Sequence, residues 1–127
     1  MVLDRFSPAT REWFADAFPA PTPAQLGAWD AVSTGGHALV VAPTGSGKTL
    51  AAFLWSIDQL LTRPSSDGGG TRVLYISPLK ALGVDVERNL RSPLGGVTQT
   101  AKRLGLPAPA VTVGVRSGDT TSADRRL

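Results

Sequence analysis

The segment APTGSGKT at residues 42–49 constrains the fold of this 127-residue chain more than any other part of its sequence. It follows an apolar run at residues 37–41, which predicts a buried strand, and it opens a helical pattern that includes Leu50. A glycine-rich turn between a strand and a helix brings backbone N–H groups together, and the helix dipole adds to their attraction for an anion. The sequence therefore predicts a phosphate-binding loop, with a glycine-rich turn that binds nothing as the plain alternative.

The residues of this loop have separate chemical roles. Gly45 and Gly47 permit backbone conformations and close approaches that a Cβ would hinder. Lys48 can reach the β and γ phosphates of a nucleoside triphosphate as a positive point charge. The Thr49 hydroxyl can complete the shell of a phosphate-bound Mg²⁺, so Thr49 is the residue that we expect beside the metal ion.

Apolar segments and helical patterns alternate along the chain. Residues 37–41, 72–77 and 111–115 predict three strands, since β-branched and aromatic residues are frequent in them. Helical patterns precede the first strand and separate the others. This order is typical of a parallel sheet with flanking helices, so we expect an α/β fold of the P-loop type. Because no apolar run that ends in an acidic residue follows residue 115, we expect the sheet to be incomplete at its carboxyl end.

Composition narrows the class of protein. The chain has the length of one domain, it contains no cysteine and one histidine, and no stretch approaches the roughly 20 apolar residues of a membrane span. A disulfide framework and a thiolate metal site are therefore excluded. We expect a cytoplasmic protein without membrane contact.

Charge is unevenly distributed. Residues 1–64 contain four basic and five acidic side chains, whereas residues 65–127 contain nine and five. A basic carboxyl-terminal half is compatible with a nucleic-acid partner, although a solvated basic face explains the same pattern.

A second signal, Phe18 followed by PTPAQ at residues 21–25, precedes the loop. The Gln25 carboxamide has a donor and an acceptor, so it can pair with the N6 and N7 edge of adenine. Thr22 and Gln25 also have the spacing of a helix capping box, which needs no ligand. The residues alone leave both interpretations of Gln25 open.

Three motifs together resemble the superfamily 2 helicases of the DEAD/DEAH-box type. Phe18 with residues 21–25 is similar to their Q motif, and residues 42–49 are similar to motif I, in which Ala is usual at the first position. SPLKAL at residues 77–82 resembles motif Ia. The amino-acid sequence of residues 77–82 and of the segments after them is most similar to that of the large helicase-related proteins of bacteria. The resemblance extends from Arg5 to the end of the chain.

This resemblance implies an architecture. Residues 1–127 would form the amino-terminal part of the first RecA-like motor domain, with the Q motif, motif I and motif Ia, ending before the Walker B motif. The intact protein would couple ATP hydrolysis to translocation on nucleic acid and to its unwinding, and its remaining helicase domains would be partners of this part. An arginine finger supplies ~10³–10⁵ in rate, and neither it nor Walker B lies in these residues, so we expect negligible ATP hydrolysis by this chain alone.

The resemblance also implies ligand contacts. The residues expected to contact ATP are Phe18, Gln25, Thr44, Gly45, Ser46, Gly47, Lys48, Thr49 and Leu50, with Lys48 and Thr49 as the catalytic residues and Mg²⁺ held with ATP at Thr49. The residues expected to contact nucleic acid, with DNA preferred over RNA, are Ser77, Pro78, Leu79, Lys80 and Arg116. Lys80 as an exposed helix lysine and Arg116 as a surface salt-bridge partner are the alternatives. For the whole chain, a free-standing P-loop nucleotide-binding protein and a non-catalytic fragment of a split gene remain open.

Overall fold

The described part of the chain contains four α-helices and one short 3-10 helix. The computed structural model describes residues 2–43, 45, 47–63, 70–76 and 80–114, with the side chains of the last helix described from Asn89 onward. The 3-10 helix spans Val2–Arg5, and the α-helices are α1 (Pro8–Ala17), α2 (Pro23–Ser33), α3 (Lys48–Thr62) and α4 (Lys80–Arg103).

Helices α1 and α2 begin where their caps predict. Ser7 is the N-cap of α1 and accepts a hydrogen bond from the backbone N–H of Thr10, with Pro8 at the first helical position. At α2, Thr22 and Gln25 form the complete capping box, because each side chain accepts from the other residue's backbone N–H. Both starts are set by contacts within four residues of sequence, which explains why the sequence predicts them.

Helix α4 has 24 residues, and it runs without a break through Gly95 and Gly96. A Cβ at Gly96 would overlap the Trp13 indole, so the glycine permits a close approach of α1 to α4. Pro93 also lies inside this helix. Among the described residues, no helix has the length and apolar character needed to cross a bilayer.

The core lies between the helices. Helix α1 packs against α4, α2 packs against α3, and α3 also contacts α4. Phe6, Phe14 and Trp29 meet edge to face, with the Trp29 ring centroid 5.1 Å from Phe6 and 5.7 Å from Phe14. The buried cluster comprises Phe6, Ala9, Phe14, Trp29, Phe53, Leu54, Ile57, Leu61, Val97 and Ala101.

The expected parallel sheet is wrong for this structure. Residues 37–41, 72–76 and 111–114 are not strands, and the described part of the chain contains only helices, turns and irregular segments. No backbone hydrogen bond joins these three segments within the described residues. Residues 77 and 115, the last residues of two predicted strands, lie outside them. The α/β class with a P-loop-type (RecA-like) sheet is therefore corrected to an all-helical description.

The physical reason is that a strand depends on its neighbours. A helix satisfies its N–H and C=O groups within the same segment, whereas a parallel strand needs donors and acceptors from residues distant in sequence. The apolar composition of these three segments indicates burial, but it does not supply the backbone donors and acceptors that a strand needs. Leu39, Leu74 and Ile76 are 92%, 77% and 80% exposed, so these side chains have no covering layer in this structure.

Candidate functional site

The start of α3 leaves its first backbone N–H groups without a partner inside the helix. Gly47 is the N-cap, with φ 76° and ψ 28°, and no side chain among the described residues caps this helix. The first three helical N–H groups, those of Lys48, Thr49 and Leu50, have no acceptor within the helix, and the first that finds one is Ala51, bonded to the Gly47 carbonyl at 3.0 Å. The side chains of Lys48 and Thr49 are exposed. An open helix N-terminus beside a lysine suits the phosphates of a nucleotide.

Gln25 links α2 to this helix start. Its side chain is buried, with 3% exposed. The carboxamide oxygen accepts from the Thr22 backbone N–H at 3.0 Å, and the nitrogen donates to the Gly47 carbonyl at 3.2 Å. A Cβ at Gly47 would overlap the Gln25 amide, so the glycine is needed for this close approach as well as for its positive φ. The capping box is thus present, and adenine recognition by Gln25 stays a prediction.

Trp29 makes a second link between the same two helices. Its side chain is fully buried, and its indole Nε1–H donates to the Leu50 carbonyl at 3.2 Å. This hydrogen bond has no signature in the sequence. The only local hint is that Trp29 lies four residues after Gln25, on the same face of α2.

A cavity of about 260 Å³ lies beside the start of α3. It brings together three of the expected nucleotide-contacting residues, Phe18, Thr49 and Leu50. The Phe18 ring is 38% exposed and packs at 5.0 Å from Phe14 and 5.9 Å from Trp13, measured between ring centroids. The sequence analysis did not identify the remaining lining residues, which come from α1 and α4 and are Trp13, Asn89, Ser92 and Pro93.

The other expected site residues fall into two groups. Lys80 is the first residue of α4, and Gly45 has φ 88° in the loop before α3. Outside the described residues lie Thr44, Ser46, Ser77, Pro78, Leu79 and Arg116. Within the described part of the chain, no cluster of three or more His, Cys, Asp or Glu residues could hold a metal ion.

The sequence is similar to known helicases. It is 66% identical over 124 residues to "Lhr helicase/ probable uracil glycosylase" of Mycolicibacterium smegmatis and 49% identical over 131 residues to "Lhr helicase/uracil glycosylase" of Escherichia coli. Each alignment covers 98% of this chain and 8% of the relative. "ATP-dependent helicase Lhr-Core" of Methanocaldococcus jannaschii is 40% identical over 118 residues, which is 91% of this chain and 14% of the relative. The chain therefore spans a small part of the length of these relatives.

A solved structure and a family model agree with these relatives. The structure of Mycobacterium smegmatis helicase Lhr bound to ssDNA and AMP-PNP matches with a TM-score of 0.89 and 66% identity, over 98% of this chain and 16% of that one. The model of the DEAD/DEAH box helicases matches residues 22–122, which include the capping box, the loop and the start of α4. The chain belongs to the DEAD/DEAH box helicase family.

Proposed function

We propose that this chain is the ATP-binding part of a helicase motor that couples ATP hydrolysis to movement along nucleic acid. Residues 1–127 would form the amino-terminal part of the first motor domain. The observation that carries the proposal is the uncapped N-terminus of α3, joined to Gln25 through the Gly47 carbonyl, in a member of this family. The similar helicase of known structure is bound to AMP-PNP and ssDNA, which supports both ligands.

In this proposal, the first turn of α3 binds the phosphates. Phosphate oxygens would bind to the backbone N–H groups of Lys48, Thr49 and Leu50 and to the Lys48 ammonium group. The Thr49 hydroxyl would help to hold Mg²⁺. A bound Mg²⁺ would neutralise part of the phosphate charge during hydrolysis. The cavity beside Phe18 accepts the nucleoside, and Gln25 offers a second N–H and a second lone pair toward adenine. Thr44, Gly45, Ser46 and Gly47 complete the loop.

Nucleic acid would bind at the start of α4. A helix N-terminus with a lysine as its first residue suits a phosphate of the backbone, and Lys80 has this position. Ser77, Pro78, Leu79 and Arg116 would add further contacts. DNA is the preferred track because the similar structure contains ssDNA. A cytoplasmic location belongs to the same proposal.

Nucleotide binding tests the first part. We expect Lys48→Ala to weaken binding of ATP about 10- to 100-fold, since it removes a charged hydrogen-bond donor to phosphate. Isothermal titration of the 127-residue chain with ATP and Mg²⁺ measures the change. Lys102→Ala, in the last turn of α4, is the matched control and should bind like the unaltered chain. Equal affinities for Lys48→Ala and Lys102→Ala would contradict the site, and steady ATP turnover that Lys48→Ala abolishes would contradict the expected absence of hydrolysis.

Binding of single-stranded DNA tests the second part. Each phosphate contact to a single strand changes the slope of log affinity against log salt concentration by about 0.7, so Lys80→Ala should reduce that slope by about this amount. Fluorescence anisotropy with a labelled oligonucleotide at several salt concentrations gives the slope. Lys102→Ala again serves as the control, and an unchanged slope for Lys80→Ala would remove this residue from the interface.

A further inference from the structure

We infer that Trp29 is a positioning residue of the nucleotide site, whose indole N–H holds the first turn of α3 in the orientation that binds phosphate. The inference rests on the nucleotide-binding function proposed above. Trp29 itself is fully buried among core residues, so it affects phosphate binding through the backbone of α3 and not by contact with the ligand.

Two side chains of α2 hold the start of α3 from one side. Gln25 donates to the Gly47 carbonyl and Trp29 donates to the Leu50 carbonyl, each at 3.2 Å. Because the two donors are four residues apart, they project from the same face of α2. Their acceptors are the N-cap and the third residue of α3. The first turn is therefore fixed at both of its ends.

Peptide geometry carries this restraint to the phosphate-binding groups. A peptide unit is planar, so a hydrogen bond to its C=O also fixes the direction of its N–H. Trp29 fixes the unit that joins Leu50 to Ala51, and the N–H of Ala51 donates to the Gly47 carbonyl at 3.0 Å. The unit of that carbonyl contains the N–H of Lys48. The orientation of the Lys48 N–H thus depends on Trp29 through two peptide units, Leu50–Ala51 and Gly47–Lys48, that a hydrogen bond joins.

The Trp29 ring cannot easily turn away from this bond. Phe6 and Phe14 pack against it edge to face, with interplanar angles of 81° and 88°. A buried indole N–H also needs a hydrogen-bond acceptor, since leaving it unpaired is costly. The aromatic core therefore fixes the direction of the indole N–H, and this N–H fixes the orientation of the first turn of α3.

The test removes the indole N–H and measures phosphate binding. We expect Trp29→Phe to weaken the binding of inorganic tripolyphosphate and of ATP by the same factor, about threefold to tenfold, because one buried hydrogen bond is lost and no contact to the base is involved. Hydrogen exchange of the backbone amides of residues 48–51 should rise in the free chain. Ile57→Val, a buried position further along α3, is the control for a general loss of stability.

A tryptophan analogue separates the hydrogen bond from packing. Benzothienylalanine at position 29 keeps the shape of the indole and has sulfur in place of N–H. It should weaken tripolyphosphate binding by the same threefold to tenfold, and it tests the hydrogen bond even if the phenylalanine variant fails to fold. Unchanged affinity with this analogue, or an equal loss in Ile57→Val, would overturn the positioning role alone. Failure of the unaltered chain to bind both tripolyphosphate and ATP would overturn the proposed function together with it.

Discussion

Gly47→Ala is expected to reduce nucleotide affinity on the order of 100-fold, because displacing the helix start removes about 3 kcal/mol of hydrogen bonding to charged phosphates. The added Cβ would overlap the Gln25 amide, which donates to the Gly47 carbonyl. The overlap forces Gln25 out of its buried position, so the start of α3 loses one of its two restraints from α2. A non-glycine residue at φ 76° adds about 1–2 kcal/mol of backbone strain.

Gly45→Ala is the matched control for this prediction. Gly45 has φ 88°, so an alanine there has a comparable backbone cost, but a Cβ would have no atom within 4 Å. Isothermal titration gives the affinity of each variant, and thermal unfolding gives its stability. We expect both variants to lose stability and Gly47→Ala to show the larger loss of affinity. Equal affinities would show that backbone strain alone, and not the contact with Gln25, controls the loop.

Asp58→Ala is expected to destabilise the chain by about 3 kcal/mol, a large share of the 5–15 kcal/mol that a domain typically has. Asp58 lies on α3 with 2% of its surface exposed, and its carboxylate accepts hydrogen bonds from the start of α1. The donors are the Ser7 hydroxyl at 2.5 Å, the Thr10 hydroxyl at 2.7 Å and the Ser7 backbone N–H at 3.2 Å. Removing the carboxylate leaves the buried Thr10 hydroxyl and the half-buried Ser7 donors without this acceptor.

Urea unfolding followed by tryptophan fluorescence measures this loss. Asp58→Asn keeps one oxygen acceptor and should lie between the alanine variant and the unaltered chain. Asp30→Ala is the control, since the Asp30 side chain is 60% exposed and pairs with Arg5 at the surface, where a salt bridge contributes about 1 kcal/mol or less. Similar losses in the free energy of unfolding for Asp58→Ala and Asp30→Ala would show that the Asp58 carboxylate does not stabilise the contact between α1 and α3.

The local parts of this structure follow from the sequence. Ser7 with Pro8 and Thr22 with Gln25 predict the starts of α1 and α2, because a cap is formed by residues three positions apart. The motifs also predict the family, which the comparisons confirm. The ligand contacts of the individual site residues remain predictions.

Long-range contacts account for what the sequence did not predict. The three apolar segments read as strands, yet pairing depends on partners that apolar composition does not reveal, and the described residues contain no strand. The cavity residues of α4 come from a distant part of the chain, so their position beside Phe18 has no signature in spacing.

The sequence by itself determined the caps of α1 and α2, because each cap is formed by residues three positions apart, and it determined the family through its motifs. Phosphate binding by residues 42–49 stays a prediction. Only the tertiary structure decided that Asp58 fastens α1 and that Gln25 and Trp29 hold the start of α3. Such bonds join residues 21 to 51 positions apart, and their geometry exists only once the helices have packed.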